Sequence, residues 1–271
     1  MKPDIKKCLK LSLQKYDGPF SVLMSGGFDS HAVLFSLLEL GVKVHTYSFT
    51  LDDRESRDFR AARETARALS LPFTPVYLPT DLKKVKIDCF RLVNDMGLTS
   101  KAAIESLFGI VRTCDIVKHK NIASGLAAGL FFVETKRGCM HYKDRTDEYR
   151  LEKFPVATAE SSPTSTMRRY CESIGKVWTS PWLTKRMLSE FQGTTWDEIN
   201  KPKLKQPLHT QFSGWKNQPG VRVFAPQSLQ LGDSGISELF AKLLDDPDWN
   251  RWEYKSTVGL FNRIRSGDIK C

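Results

Sequence analysis

The sequence has no apolar run long enough to span a bilayer: the longest, Ala32 to Leu40, is broken by Ser36 and Glu39. Its start, Met1-Lys2-Pro3-Asp4-Ile5-Lys6-Lys7, is charged where a secretory signal would carry an apolar core. No membrane association is expected, and the reading is cytoplasmic. None of the six cysteines (Cys8, Cys89, Cys114, Cys139, Cys171 and Cys271) pairs with another at C-x-x-C spacing. That removes the sequence basis for a zinc knuckle, an iron–sulfur ligand set or a redox dithiol, and leaves buried or idle thiols. His31, His45, His119, His141 and His209 show no metal-ligand spacing either and read as structural or surface residues. Acidic residues are in deficit, 31 Asp and Glu against 41 Lys and Arg, which leaves a net charge of +10. Such an excess suits a polyanionic partner, a nucleic acid among them, with Lys201 to Lys216 as the candidate stretch. A basic solvated surface is the plainer alternative.

What is present is concentrated in Met24-Ser25-Gly26-Gly27-Phe28-Asp29-Ser30. This segment follows the short apolar run from Phe20 and precedes the apolar stretch His31 to Leu40, an order that reads strand, tight turn, helix start. Two adjacent glycines let the backbone wrap an anion, and the first-turn N–H groups and helix dipole favour negative charge there. Ser25 and Ser30 add hydroxyls. Asp29 adds a carboxylate that either holds magnesium or caps the helix. The loop lacks the G-x-x-x-x-G-K-[ST] pattern, so it is a different phosphate cradle from the common P-loop.

Strand and helix signals alternate through the first half, which argues for a parallel sheet with crossover helices. Val42 to Thr50 reads as a second strand, and Asp58 to Leu71 as an amphipathic helix through Phe59, Ala62, Ala66 and Leu69. Phe73 to Leu78 reads as a third strand cut by Pro75. Ala102 to Lys118 reads as a long helix, and Lys120 to Gly125 as a short strand entering a turn. Dense mixed charge over 137–150 and the Ser/Thr/Pro-rich stretch 159–166 read as a mobile loop or lid. Helical runs follow at Lys185 to Phe191 and Ile236 to Leu244. Trp249 and Trp252, beside Arg251, either stack on a base or anchor the last helix.

Ser-Gly-Gly-x-Asp-Ser resembles the pyrophosphate loop of the N-type ATP pyrophosphatases, or PP-loop enzymes. These cleave ATP between the α- and β-phosphates, adenylate a substrate and let a nitrogen or sulfur nucleophile displace AMP. Within that superfamily the chain resembles the synthetase domain of asparagine synthetases. Tyr47-Ser48-Phe49 is similar to that branch's T-F-S strand end, and Asp58-Phe59-Arg60-Ala61-Ala62 to its D-E-x-x-x-A helix start. Ile122-Ala123-Ser124-Gly125 is similar to its V-L-S-G turn, Trp178 to Leu183 to its R-x-P-F-L-D segment, and Lys205-Gln206-Pro207-Leu208-His209 to its K-x-x-L-R. The chain departs from the pattern where the branch has Glu-Gly-Ala-Asp-Glu and this sequence has Leu126-Ala127-Ala128-Gly129-Leu130. Glu134 or another carboxylate is then required as a substitute. Thr184 and His209 replace the aspartate and arginine of the two later segments.

The resemblance implies an α/β fold with a doubly wound parallel sheet of the adenine-nucleotide α-hydrolase type and a helical C-terminal region. Residues 1–135 would form the ATP-binding domain, 136–166 the loop or lid, and 167–271 the helical region completing the active site. The implied activity is an ATP-dependent ligase that forms AMP and pyrophosphate, adenylates a carboxylate or carbonyl oxygen, and transfers an amine or ammonia to it. One alternative is adenylation of a base in a nucleotide or nucleic acid. Against it, the unpaired cysteines argue against thiolating and deazapurine-forming relatives. A second alternative is a degenerate nucleotide-binding module. ATP and Mg2+ are the implied cofactors. Ser25, Gly26, Gly27, Phe28, Asp29, Ser30, Ser48, Phe49, Ser124 and Gly125 would bind ATP and its pyrophosphate. Asp29 would also be the metal ligand, and Asp29 and Lys205 the catalytic pair. Partners would be a small-molecule carboxylate and an amine or ammonia donor. Too few residues precede the loop for a glutaminase domain, so any glutamine-derived ammonia would come from a separate source.

Overall fold

A computed structural model describes residues 2–224, 233–250 and 256–270. Five strands form its sheet: Phe20–Leu23 (β1), Val44–Leu51 (β2), Phe73–Leu78 (β3), Asn121–Ser124 (β4) and Val177–Thr179 (β5). They lie in the order β3-β2-β1-β4-β5, and every neighbouring pair is parallel. All four residues of β1 and of β4 are buried, as expected for strands covered on both faces. The chain winds one way from β1 to β3 and the other way from β4 to β5. The reversal falls between β1 and β4, where the strand ends part and open α/β sheets bind ligands.

Crossover helices cover both faces. Ile5–Leu13 (α1) and Phe28–Glu39 (α2) pack on one side, around Phe35, Phe132, Trp182 and Phe212. Arg57–Ala68 (α3) crosses from β2 to β3. Leu82–Phe90 (α4) and Lys101–Ile116 (α5) build the other core, around Val85, Phe108, Trp178 and Phe240. Pro75 does not end β3, because β3 is an edge strand whose open side needs no ladder hydrogen bond. β5 is only three residues long, too short for a period of two to show in the sequence.

The expected loop over 136–166 is instead helical. After the short helix Gly129–Phe132 (α6) come Lys136–Tyr142 (α7), Thr146–Thr158 (α8) and Pro163–Ser173 (α9). The Ser, Thr and Pro residues that read as a loop are helix-start chemistry. Thr135 accepts from the Gly138 N–H, Ser162 accepts from the Ser165 N–H, and Pro163 takes the first turn of α9. Arg150, 1% exposed, ties α8 inward by donating to the carbonyls of Phe131, Phe191 and Thr194.

Beyond β5 lie Lys185–Glu190 (α10), Trp196–Asn200 (α11), Gln206–Gln211 (α12) and, further on, Ile236–Lys242 and Thr257–Ser266. Trp249 is buried edge-on to Phe90 and anchors this region; Arg251 and Trp252 lie outside the described residues. Cys8, Cys89, Cys114 and Cys171 are buried, and Cys271 lies outside the described residues. Among the described residues no helix is long and apolar enough to cross a membrane.

Candidate active site

β1 delivers the chain from the middle of the sheet straight into the Ser25–Ser30 turn. Gly27 is the extended N-cap of α2 and supplies no side-chain hydrogen bond, so the first-turn N–H groups remain available to an anion. The turn is braced from within. The Ser25 N–H donates to Ser30 Oγ at 3.1 Å, and the Gly27 N–H donates to Ser25 Oγ at 3.2 Å. Beneath it His31 is fully buried, with Nδ1 2.8 Å from the Gly27 carbonyl and Nε2 3.2 Å from Thr65 Oγ1. Burial lowers the His31 pKa to about 4 against the opposing hydrogen bond to Gly27, so the ring is neutral and Nδ1 donates. From the far end of the chain the Phe224 N–H donates to the Gly26 carbonyl at 2.8 Å, while the Arg57 guanidinium covers the Phe224 ring.

Asp29, in the first turn of α2, meets Lys205 at the start of α12. Lys205 Nζ lies 2.6 and 2.7 Å from the two Asp29 oxygens and 2.9 Å from Glu134 Oε2. Lys205 is 1% exposed. Burial alone would lower its pKa, but the two carboxylates outweigh that and hold it above the ordinary lysine value. Burial also raises the Glu134 pKa, opposed by the lysine. Lys205 itself has a left-handed backbone, φ 61°, and donates its N–H to Asn200 Oδ1, whose amide in turn donates to the Phe132 carbonyl. Glu134 fits because Gly129 has no side chain: a Cβ there would lie 3.2 Å from the Glu134 carboxyl carbon. The structure therefore brings Glu134, one of the carboxylates the sequence offered as a substitute, beside Asp29 and Lys205.

A cavity of about 340 Å³ opens beside this cluster at the ends of β1, β2 and β4. Ser25, Gly27, Asp29, Ser30, Phe49, Ser124 and Gly125 line it. Gly26 and Phe28 support the loop from behind, and Phe28 packs edge-on against His209 at 4.9 Å. Ser48 is buried and outside the lining; alternation along β2 turns Tyr47 and Phe49 to the cavity instead. Asp58, which the sequence marked only as a helix start, lines the cavity and crowds Gly26, where a Cβ would lie 2.6 Å from its Oδ1. Burial and the neighbouring Asp233 raise the Asp58 pKa. The stretch Lys201 to Lys216 is not one basic face, because Lys205 is inside the site and Lys201 pairs with Asp197.

Gly125 permits the closest backbone approach. A Cβ there would lie 2.6 Å from the Asp29 carbonyl carbon and also against the Ser30 nitrogen. Gly125→Ala is expected to cost about 1–3 kcal/mol through overpacking and to weaken nucleotide binding, because the loop rather than a flexible side chain must move. Chemical denaturation and ATP titration calorimetry check this; unchanged stability with unchanged affinity would show slack in the loop.

A 3-2-1-4-5 parallel sheet with a Ser-Gly-Gly-x-Asp-Ser loop at its switch point defines the PP-loop class of ATP-utilising enzymes. The family model described as asparagine synthase matches residues 4–210, and the chain belongs to that family. It is also 22% identical over 250 residues to a 7-cyano-7-deazaguanine synthase of Archaeoglobus fulgidus, covering 90% of this chain and 95% of that protein. A 7-cyano-7-deazaguanine synthase of Thermoplasma acidophilum is 34% identical over 85 residues, 31% of this chain and 32% of that protein, so this match spans about a third of the relative. These similarities run against the expectation drawn from the unpaired cysteines: nine-tenths of the chain aligns with a deazapurine-forming protein although C-x-x-C spacing is lacking.

Proposed function

We propose that the protein adenylates a carboxylate or carbonyl oxygen on a small, base-like heterocycle and passes the activated carbon to ammonia or an amine, forming AMP and pyrophosphate. The observation that carries this is the Asp29–Lys205–Glu134 cluster beside the pyrophosphate loop. Its two carboxylates line the cavity together with Leu126 to Leu130, while Lys205 is buried against them, outside the lining. An amino-acid acceptor such as aspartate brings an ammonium group that needs an acidic partner. The wall that carries acids in the asparagine synthetase pattern is neutral here. Asp29 is committed to Lys205 and the phosphate end of the cavity, and Glu134 is paired with Lys205. Asp58 is half-buried against the Gly26 turn, with its pKa raised toward the neutral form. A neutral planar ring suits such a wall better, and the similarity to one 7-cyano-7-deazaguanine synthase across nine-tenths of the chain points the same way.

In this reading the β- and γ-phosphates lie on Ser25 to Ser30 and the adenine lies toward Phe49. The acceptor oxygen attacks the α-phosphorus, the α,β-bridging oxygen leaves with pyrophosphate, and the amine then attacks the activated carbon to expel AMP. Lys205 offsets the charge growing on pyrophosphate, a stabilisation made where charge develops. Magnesium fits as a shared ligand: it commonly takes one or two carboxylates and leaves the other positions to phosphate and water. Asp29 would hold it, and it would neutralise phosphate charge. Among the described residues no three His, Cys, Asp or Glu side chains gather to bind a metal unaided.

The test follows nucleotide products with a deazapurine carboxylic acid plus ammonium, and separately with aspartate plus ammonium. AMP and pyrophosphate that depend on the heterocyclic acid are expected. AMP with aspartate alone would restore the asparagine-synthetase reading, and ADP would sink both. ATP binding without turnover of either acid would mark a binding module.

A further inference from the structure

We propose that Gly109 and Phe49 together set the width of the slot that receives the nucleotide base, which makes Gly109 a specificity-determining position; this rests on the reading that the cavity takes ATP. Gly109 lies in the interior of α5, where glycine is less favourable than alanine, and its φ is not in the left-handed region that would require glycine. The reason for a glycine is therefore space. A Cβ at position 109 would lie 2.6, 2.7 and 2.8 Å from Cδ2, Cε2 and Cγ of Phe49, so the ring rests against the bare helix backbone.

Phe49 and Ile110 then form one wall of the cavity, with Thr113 a turn further along α5. The Thr113 hydroxyl donates to the Gly109 carbonyl at 2.7 Å, so it offers the cavity no free donor. A wall with an aromatic face and no free donor suits the face of a base rather than a phosphate or a sugar. The helix backbone cannot yield to a new Cβ. The ring can, and its open side is the cavity, so a side chain at position 109 would push Phe49 into the slot without touching the phosphate cradle at Ser25 to Ser30.

The experiment is a double-mutant cycle on binding. ATP and pyrophosphate affinities are measured by titration calorimetry for the wild type, Gly109→Ala, Phe49→Leu and the double variant. Gly109→Ala is expected to weaken ATP by about tenfold while leaving pyrophosphate affinity unchanged. In the Phe49→Leu background the same change should cost less than about twofold, because the smaller side chain relieves the clash. Equal losses in both backgrounds, or a parallel loss of pyrophosphate affinity, would mean general disturbance of α5 and overturn the proposal. ATP binding unaffected by Gly109→Ala would overturn it alone. A wild-type protein that binds no ATP would overturn the underlying reading with it.

Discussion

Asp29→Asn is expected to leave the fold intact and to lower AMP formation by about 10²–10³-fold, the loss typical of removing one transition-state electrostatic contact. In the wild type two carboxylates share one ammonium, so the cluster carries an excess negative charge. Asparagine in place of Asp29 leaves the Lys205–Glu134 pair balanced, and no buried charge is stranded. The chemistry loses more, because Asp29 is the carboxylate in the first turn of α2, beside the N–H groups proposed to hold the phosphates. Pyrophosphate release is measured beside urea denaturation. Turnover within tenfold of the wild type at unchanged stability would remove Asp29 from the catalytic group.

Lys205→Met should do the reverse and damage the fold itself. The substitution keeps an unbranched chain one atom shorter but leaves Asp29 and Glu134 facing each other without their shared cation. Breaking a buried ion pair from one side costs about 3–5 kcal/mol, chiefly as the penalty of an uncompensated charge. Adding Glu134→Gln should return part of that loss, since one of the stranded charges is then gone. Denaturation of the single and double variants reads the effect. A loss below about 1 kcal/mol for Lys205→Met, within the range of an exposed pair, would show that water replaces the lysine and that the cluster is not closed.

The α/β class, the succession of strands and crossover helices along the first half and the phosphate loop were legible in the sequence for one reason. Each rests on contiguous residues whose pattern is local: a buried strand reads as an apolar run, and a phosphate cradle is made of successive backbone N–H groups. The elements that escaped it fail that condition. β5 is three residues long and becomes a strand only because β4 lies beside it. The helices over 136–158 are charged enough to read as solvent-exposed loop, and Arg150 shows its role only once three distant carbonyls surround it.

Within the site the division is the same. The sequence by itself determined Ser25 to Ser30, named Asp29, and left Lys205 with two readings, one of the catalytic pair and one of a basic stretch whose plainer alternative is a solvated surface. Only the tertiary structure decided that Lys205 is buried, that Glu134 rather than the missing Glu-Gly-Ala-Asp-Glu motif faces Asp29, that Asp58 turns into the cavity, and that Ser48 turns away from it. Asp29 and Lys205 are separated by 176 positions in the chain. No local periodicity carries information over that distance. The pairing arises because burying three charged groups is tolerable only when they meet, and it is the packing of α12 against α1 and α11, with α11 held to α6, that makes them meet.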